Sequence, residues 1–272
     1  MPQAAQKTNT REARFQAHYA AQWVARYGRS YLPPQKDDSH TSMLWNPSAK
    51  LFLSQSSMKG SLALDLPTLT LFWLDPKGTF GTGFSLDGKT ETQVEKTLGG
   101  MLAEVGLGAN RLKTDLPYEL DDHDIGNGGA YDVAANADGL NQLANNFHLA
   151  ATLLGEVKKR EEGAGPVRAW PHHFDIATLM TLEDEDDPEE AKSINVGFSP
   201  GDGNYAAPYF YISPWPYPDA SDLPAEPKLF RWHTEGFTAA VIPEAMWPGE
   251  EQEEFLRSGL MEAILACKAL LK

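Results

Sequence analysis

The sequence holds a single cysteine, Cys267, which excludes an intrachain disulfide and a thiolate zinc cage. No apolar run approaches the roughly 18 residues that cross a membrane. The polar start, MPQAAQKTNTREAR, lacks the apolar stretch of a signal peptide. A clustered basic face is missing too: Lys158-Lys159-Arg160 is followed at once by Glu161-Glu162. Phosphate backbones are bound by such faces, so nucleic acid is not an expected partner. The expectation is a cytoplasmic protein with no membrane or nucleic-acid partner. There is also no G-x-S-x-G elbow and no H-E-x-x-H pair, and Cys267 sits late on an apolar helical face without a nearby His. Nucleophilic-serine, zinc-hydrolase and reactive-thiol chemistry therefore lose their usual signatures.

What the chain does have is acid in excess, and that excess is local. The formal charge is −15, from 23 basic and 38 acidic side chains. Three short stretches, Glu119–Asp124, Glu183–Glu190 and Glu250–Glu254, contain no Lys or Arg and hold the whole surplus. They read as solvated loops on an otherwise neutral body. Asp121-Asp122-His123-Asp124 fails the calcium-loop pattern, because Gly126 takes the fifth place and no Glu arrives at the twelfth.

Hydrophobic periodicity supplies the elements. Phe15, Tyr19, Trp23 and Tyr27 recur at steps of four, which predicts a helix over 11–28 that ends at Gly28. Strands are predicted at Lys50–Ser54, Ser61–Leu66, Thr68–Leu74 and Phe80–Leu86. Thr90-Glu91-Thr92-Gln93 has the capping-box form and opens a helix to about Val105. A third helix covers Leu140–Lys159, and Pro166 breaks it off. Val167–Leu182 reads as extended. Strands Ile194–Phe198, Tyr209–Ser213, Leu229–Trp232 and Phe237–Ile242 follow, and Glu250–Leu271 forms an amphipathic closing helix. Clustered strands without βαβ alternation predict an α+β fold with antiparallel sheet in meanders, packed by amphipathic helices. The expected organisation is one structural unit over 1–272. Because the order of elements is alike in both halves, sub-lobes over 30–110 and 166–272, joined by the helix 140–160, are the finer division.

Four groups of residues are candidates for chemistry. Gly83-Phe84-Ser85-Leu86-Asp87-Gly88-Lys89-Thr90 matches G-x-x-x-x-G-K-[ST], the loop that wraps nucleotide phosphates. Strand-like alternation runs through Phe84 and Leu86, inside the supposed loop, so nucleotide binding is the disfavoured alternative. In Trp170-Pro171-His172-His173-Phe174-Asp175, an extended chain puts His173 and Asp175 on one face, where they could share a divalent metal or a proton. Asp202, in the Ser199-Pro200-Gly201-Asp202-Gly203 turn, is the third candidate carboxylate. Aromatic residues crowd the stretch after 204, and Trp170, Tyr209, Tyr211, Trp215 and Tyr217 are candidate pocket walls. His148 and His233 are the histidines that could complete a site in space.

The succession His173-Phe174-Asp175-Ile176-Ala177, Gly197-Phe198-Ser199-Pro200-Gly201, Pro208-Tyr209-Phe210-Tyr211 and Pro214-Trp215-Pro216 resembles a bacterial family catalogued only as domain-of-unknown-function family 5996. The N-terminal aromatic helix, the Asp-Gly turn before the helix near 91–105 and the long helix before the Phe174–Ala177 strand are similar in order. The resemblance spans nearly the whole chain and implies one unit. It carries no activity. In that family the two positions before Phe174 are small residues, so it favours Asp175 over the histidine pair. The expected function is small-molecule binding in an aromatic-lined pocket, with acid–base or metal-assisted chemistry at His173, Asp175 and Asp202. A non-catalytic protein-interaction module is the alternative from another class.

Overall fold

The computed structural model describes residues 2–183 and 191–272, with side chains from residue 10 onward. The acidic run at 184–190 lies outside the described residues. The architecture is α+β, and the four α-helices and eleven strands described include only antiparallel strand pairs. The chain forms two compact units, Met1–His148 with Ala169–Phe174, and Leu149–Arg168 with Asp175–Lys272. No helix among the described residues is long and apolar enough to cross a membrane.

In the first unit, α1 (Pro2–Tyr31) precedes a meander of β1 (Met43–Asn46), β2 (Leu51–Ser54), β3 (Ser61–Asp65), β4 (Thr70–Leu74) and β5 (Phe80–Ser85). Then come α2 (Glu91–Glu104), the first part of α3 (Val133–Arg160), and β6, whose span is Arg168–Trp170. The strands lie in the order β6-β1-β2-β3-β4-β5. Alternation puts Phe52, Leu64 and Leu71 in one cross-strand row, and all three are fully buried. The capping box on α2 forms as the sequence predicts: the Gln93 N–H bonds the Thr90 hydroxyl, and the Gln93 side chain accepts from the Thr90 N–H. β1 has no counterpart in the sequence prediction, because Met-Leu-Trp-Asn is too short to show a period.

The aromatic stripe of α1 does more than fill a core. Phe15 stacks on His123, and the Tyr19 hydroxyl donates to the Asp121 carbonyl at 2.9 Å. Trp23 Nε1 donates to Glu91 at 3.0 Å, and the Tyr27 hydroxyl donates to Ser57 at 2.9 Å. His123 also pairs with Glu12 at 3.0 Å. The four acids of the stretch 119–124 stay exposed, as the sequence suggests for a solvated loop, while the Asp121 carbonyl and His123 anchor that loop to α1. α3 starts about two turns earlier than predicted, because Asp132 accepts the Ala135 N–H and caps it.

In the second unit, β7 (Asp175–Thr181), β8 (Ser193–Ser199), β9 (Tyr209–Trp215), β10 (Arg231–His233) and β11 (Ala239–Pro243) pair in the order β7-β8-β9-β11-β10. The closing helix, α4 (Gln252–Leu270), packs on β8, β9 and β11. Ile194, Val196, Phe198, Phe210, Ile212, Ala240 and Ile242 are buried on one sheet face; Leu256, Leu260 and Ile264 supply the buried stripe of α4. Arg257 of α4 binds Glu156 of α3 at 2.7 Å, together with Glu253 and Glu254. Two acids of the stretch 250–254, Glu253 and Glu254, are therefore ion-paired residues of the closing helix that the sequence predicts, and both stay exposed.

One predicted boundary fails for a steric reason. α1 continues through Gly28 to Tyr31 instead of ending there. A Cβ on Gly28 would stand 2.3 Å from the His40 carbonyl oxygen, so the glycine lets the next segment close against the helix. Ala in place of Gly inside a helix ordinarily gains up to about 1 kcal/mol. Here the backbone contact reverses the sign: Gly28→Ala is expected to lose about 2 kcal/mol in chemical denaturation. A stabilised variant would show that the approach to His40 is not a constraint.

Candidate functional site

The second unit builds its polar site on the sheet face opposite α4. Strand alternation places Asp175 and Ala177 of β7, Gly197 and Ser199 of β8, Tyr209 and Tyr211 of β9, and Ala239 and Val241 of β11 on that face. Tyr211 pairs with Gly197 in register, and Gly197 pairs with Ala177. The Tyr211 hydroxyl donates to Asp175 Oδ2, reaching over β8 to β7. Only a glycine allows this, because a Cβ at position 197 would lie 2.4 Å from both Cζ and Oη of Tyr211.

Two more tyrosines make polar contacts on the same face. The Tyr209 hydroxyl donates to Asp202 Oδ2 at 2.6 Å, and Asp202 Oδ1 accepts the N–H groups of Asn204 and Tyr205 at 2.8 and 2.9 Å. Asp202 thus pins the 200–208 loop to β9, with both oxygens engaged. Tyr205 stands over Tyr209 with ring centroids 4.7 Å apart, and its hydroxyl lies 3.0 Å from His233 Nδ1. The other imidazole nitrogen, Nε2, is 2.8 Å from the Glu235 carbonyl. A carbonyl only accepts, so Nε2 carries the proton and Nδ1 accepts from Tyr205. His233 also packs on Phe237 at 4.3 Å.

The electrostatics fix the protonation of these phenols. Burial, then the Asp175 charge, pushes Tyr211 well above the usual tyrosine range. Burial, then the bond to Asp202, pushes Tyr209 up as well. Both remain O–H donors at neutral pH, so neither serves there as a phenolate nucleophile or base. Cys267, pushed up to about 12 by burial, likewise remains a thiol, and its Sγ sits 3.6 Å from the Ile212 carbonyl.

Of the residues singled out from sequence, Asp175, Asp202, Tyr209 and Tyr211 thus come together on one face as two hydrogen-bonded pairs, with the Tyr209 and Tyr211 rings 6.1 Å apart. Trp215 and Tyr217 pack edge to face on each other at 5.1 Å, and both are exposed. Trp215 lies two alternations along β9 from Tyr211. Sequence reasoning passed over Gly197 and did not tie Tyr205 to His233. The one available signal for Gly197 was a glycine in the middle of an apolar strand, which often marks a close approach.

Trp170, His172 and His173 belong to the first unit. The extended reading of Val167–Leu182 fails between β6 and β7: residues 171–174 form a turn, and Phe174 takes a left-handed conformation with φ of 54°. Strand alternation starts only at Asp175, so His173 and Asp175 are not successive positions of one strand face. That corrects the geometry on which their metal pairing rested. His173 packs instead on His172 at 4.4 Å, and His172 lies beside Trp170 and Tyr118. Among the described residues, no group of three or more His, Cys, Asp or Glu side chains is arranged to hold a metal ion.

The turn is held by a second row of α1 residues. His18 Nε2 and Gln22 Nε2 both donate to the Pro171 carbonyl at 2.8 Å, and Tyr118 donates to Gln22 Oε1 at 2.8 Å. The His18 ring stacks on Phe174 at 5.0 Å, and Phe174 packs on Phe52 and Phe147. An aromatic residue in the left-handed region costs about 1–2 kcal/mol, which this packing offsets.

The loop that matched the phosphate-binding pattern is built differently. Gly83 lies inside β5, over the ring of Phe72. The Gly88 N–H donates to the Tyr131 carbonyl at 2.8 Å, and the Lys89 N–H donates to Leu86 at 2.9 Å. Thr90 is occupied in capping α2. The backbone donors and hydroxyl that would cradle phosphate and Mg²⁺ are already bonded within the protein.

No protein-family model matches the chain, and neither a curated protein nor a solved structure does.

Burial lowers His18 from 6.5 to about 4, against the raising effect of its Pro171 bond. Its folded value lies below its unfolded one, so the unfolded chain binds the extra proton between pH 6.5 and about 4. The corresponding stability is present above pH 6.5 and falls as the pH drops through about 4. Urea denaturation of the wild type and His18→Gln should show a stability difference that narrows from pH 7 to pH 4. A difference independent of pH means that His18 does not titrate this way.

Proposed function

We propose that the protein binds a small planar molecule with hydrogen-bonding groups at the tyrosine face of the second unit. The observation that carries the reading is the Tyr211–Asp175 pair spanning β8 above Gly197. A polar pair of this kind on a sheet face has a desolvation cost that apolar residues of similar size avoid. Tyr205, Tyr211, His233 and Phe237 are half-buried, so their rings offer stacking surface, while Asp175 and Tyr209 lie beneath them. Aromatic walls with a few oriented polar groups are the usual composition of small-molecule sites. For acid–base work the groups on offer are the Asp175 carboxylate and the tyrosine hydroxyls, which act as donors. A chain with one buried cysteine suits a reducing compartment, and we place the protein in the cytoplasm. The reading includes membership of the family that the sequence resembles.

The test is saturation-transfer NMR with a set of pyridine, pyrimidine and indole fragments against the wild type, Tyr211→Phe and Asp175→Asn. Tyr211→Phe removes one oxygen and keeps the ring, so a loss of fragment signal there reports the site and not the fold. The expected result is at least one fragment that binds the wild type and weakens about tenfold in both variants, the loss of about one hydrogen bond to a charged group. Fragments that bind all three proteins alike, or none at all, would dismiss the proposal.

A further inference from the structure

The outer edge of the first unit's sheet is a strand without the usual protection. β5 closes the order β6-β1-β2-β3-β4-β5 and, among the described residues, pairs with β4 alone. Its sequence, Phe80-Gly81-Thr82-Gly83-Phe84-Ser85, contains neither charge nor proline, and all of its residues except Phe84 are exposed. Edge strands commonly carry lysine, proline or a covering element, because their free N–H and C=O groups otherwise pair with another chain. The register shift between Phe72 and Leu74 disturbs one end only, and Gly83, Phe84 and Ser85 stay in regular register with Phe72, Leu71 and Thr70.

Beside this edge runs an open groove of about 710 Å³. Thr82 and Phe84 form its strand side, and α2 contributes Gln93, Lys96, Thr97 and Gly100, one helical face at spacings of three and four. An added Cβ at Gly100 meets nothing within 4 Å, so the helix leaves room there. The face from Gln93 to Glu104 is about 16 Å long at 1.5 Å per residue, the length of about five extended residues. Lys89 and Lys96 line the groove near the turn that joins β5 to α2, and neither has a carboxylate partner within 4.0 Å among the described residues. Glu104 stands at the other end.

We infer that this groove receives an extended acidic peptide segment of a partner protein, added to β5 as a further strand. Backbone bonding to the edge supplies the length-wise contact, Phe84 offers an apolar contact for alternate side chains, and the two lysines meet carboxylates at one end of the peptide. The long, strand-flanked shape favours a peptide over a compact anion, and the bonded donors of the Gly88–Thr90 turn argue against a phosphate there.

The test uses the full chain and fluorescein-labelled octapeptides of alternating Thr and Val, with two glutamates at either end, read by anisotropy. Controls replace the glutamates with lysines, or N-methylate alternate backbone nitrogens. The expected result is binding of a glutamate peptide, with each control weaker by about tenfold or more. The double variant Lys89→Glu/Lys96→Glu is expected to lose the same factor. Thr82→Glu, which puts a repelling carboxylate on the exposed edge, is expected to abolish binding while leaving the thermal transition unchanged. Amide exchange over residues 80–85 should slow when the peptide is bound. Equal binding of the N-methylated peptide, or no binding by any peptide, overturns the inference. Binding of inorganic phosphate or ATP with the same lysine dependence, and no slowing over 80–85, overturns it in favour of a small-anion site.

Discussion

A tyrosine hydroxyl reaches a carboxylate two strands away only when the strand between them carries no side chain. Gly197 meets that condition, and the polar face of the second unit is organised around it. With the Tyr211 ring laid over β8, its hydroxyl bonds Asp175 at the start of β7. Asp202 holds the following loop to Tyr209, which brings Tyr205 over the same face and within reach of His233. The opposite face is apolar except for Thr178, whose hydroxyl donates to the Gly165 carbonyl, and it packs on α4. One sheet thus separates a dry core from a polar aromatic surface, through the two-residue alternation of its strands alone.

The first unit relies on a helix instead of a glycine. α1 presents two rows of side chains at steps of four. Phe15, Tyr19, Trp23 and Tyr27 fix the acidic loop, Glu91 and the β2–β3 turn. His18, Gln22 and Arg26 fix the Pro171 turn and, again, Glu91. Glu91 receives Trp23 and Arg26 of α1 and Tyr131 from just before α3, so the start of α2 is tied to α1 by two donors and to the entry of α3 by a third. Tyr131 is pushed well above the usual tyrosine range, by burial first and then by the Glu91 charge, and stays a donor. A buried network of this kind tolerates little change, because removing one partner leaves the others unpaired at a cost of about 1–3 kcal/mol each.

Sequence legibility followed the range of the interaction. The capping box at Thr90 was readable because both partners lie within one helical turn. The strands around 51–85 and 193–215 were readable because each is a short apolar run bounded by turn residues. The apolar alternation through Phe84 correctly placed Gly83 within a strand. The turn at 171–174 was not readable, since nothing local sets Phe174 in the left-handed region. Its conformation depends on His18, Phe52 and Phe147, which are far away in the sequence. That one dihedral separated His173 from the strand face of Asp175.

By itself, the sequence determined the α+β class, the antiparallel meanders, most helix and strand positions and the aromatic crowding after 204, because each rests on periodicity or on contacts a few residues apart. The tertiary structure decided which aromatics meet which carboxylates. It put the Tyr211–Asp175 and Tyr209–Asp202 pairs side by side on one face, left Trp215 and Tyr217 exposed, and gave Gly28 and Gly197 to close approaches. The physical reason is that a glycine's role is set by what lies where its side chain would be, and that space is filled by residues distant in the chain.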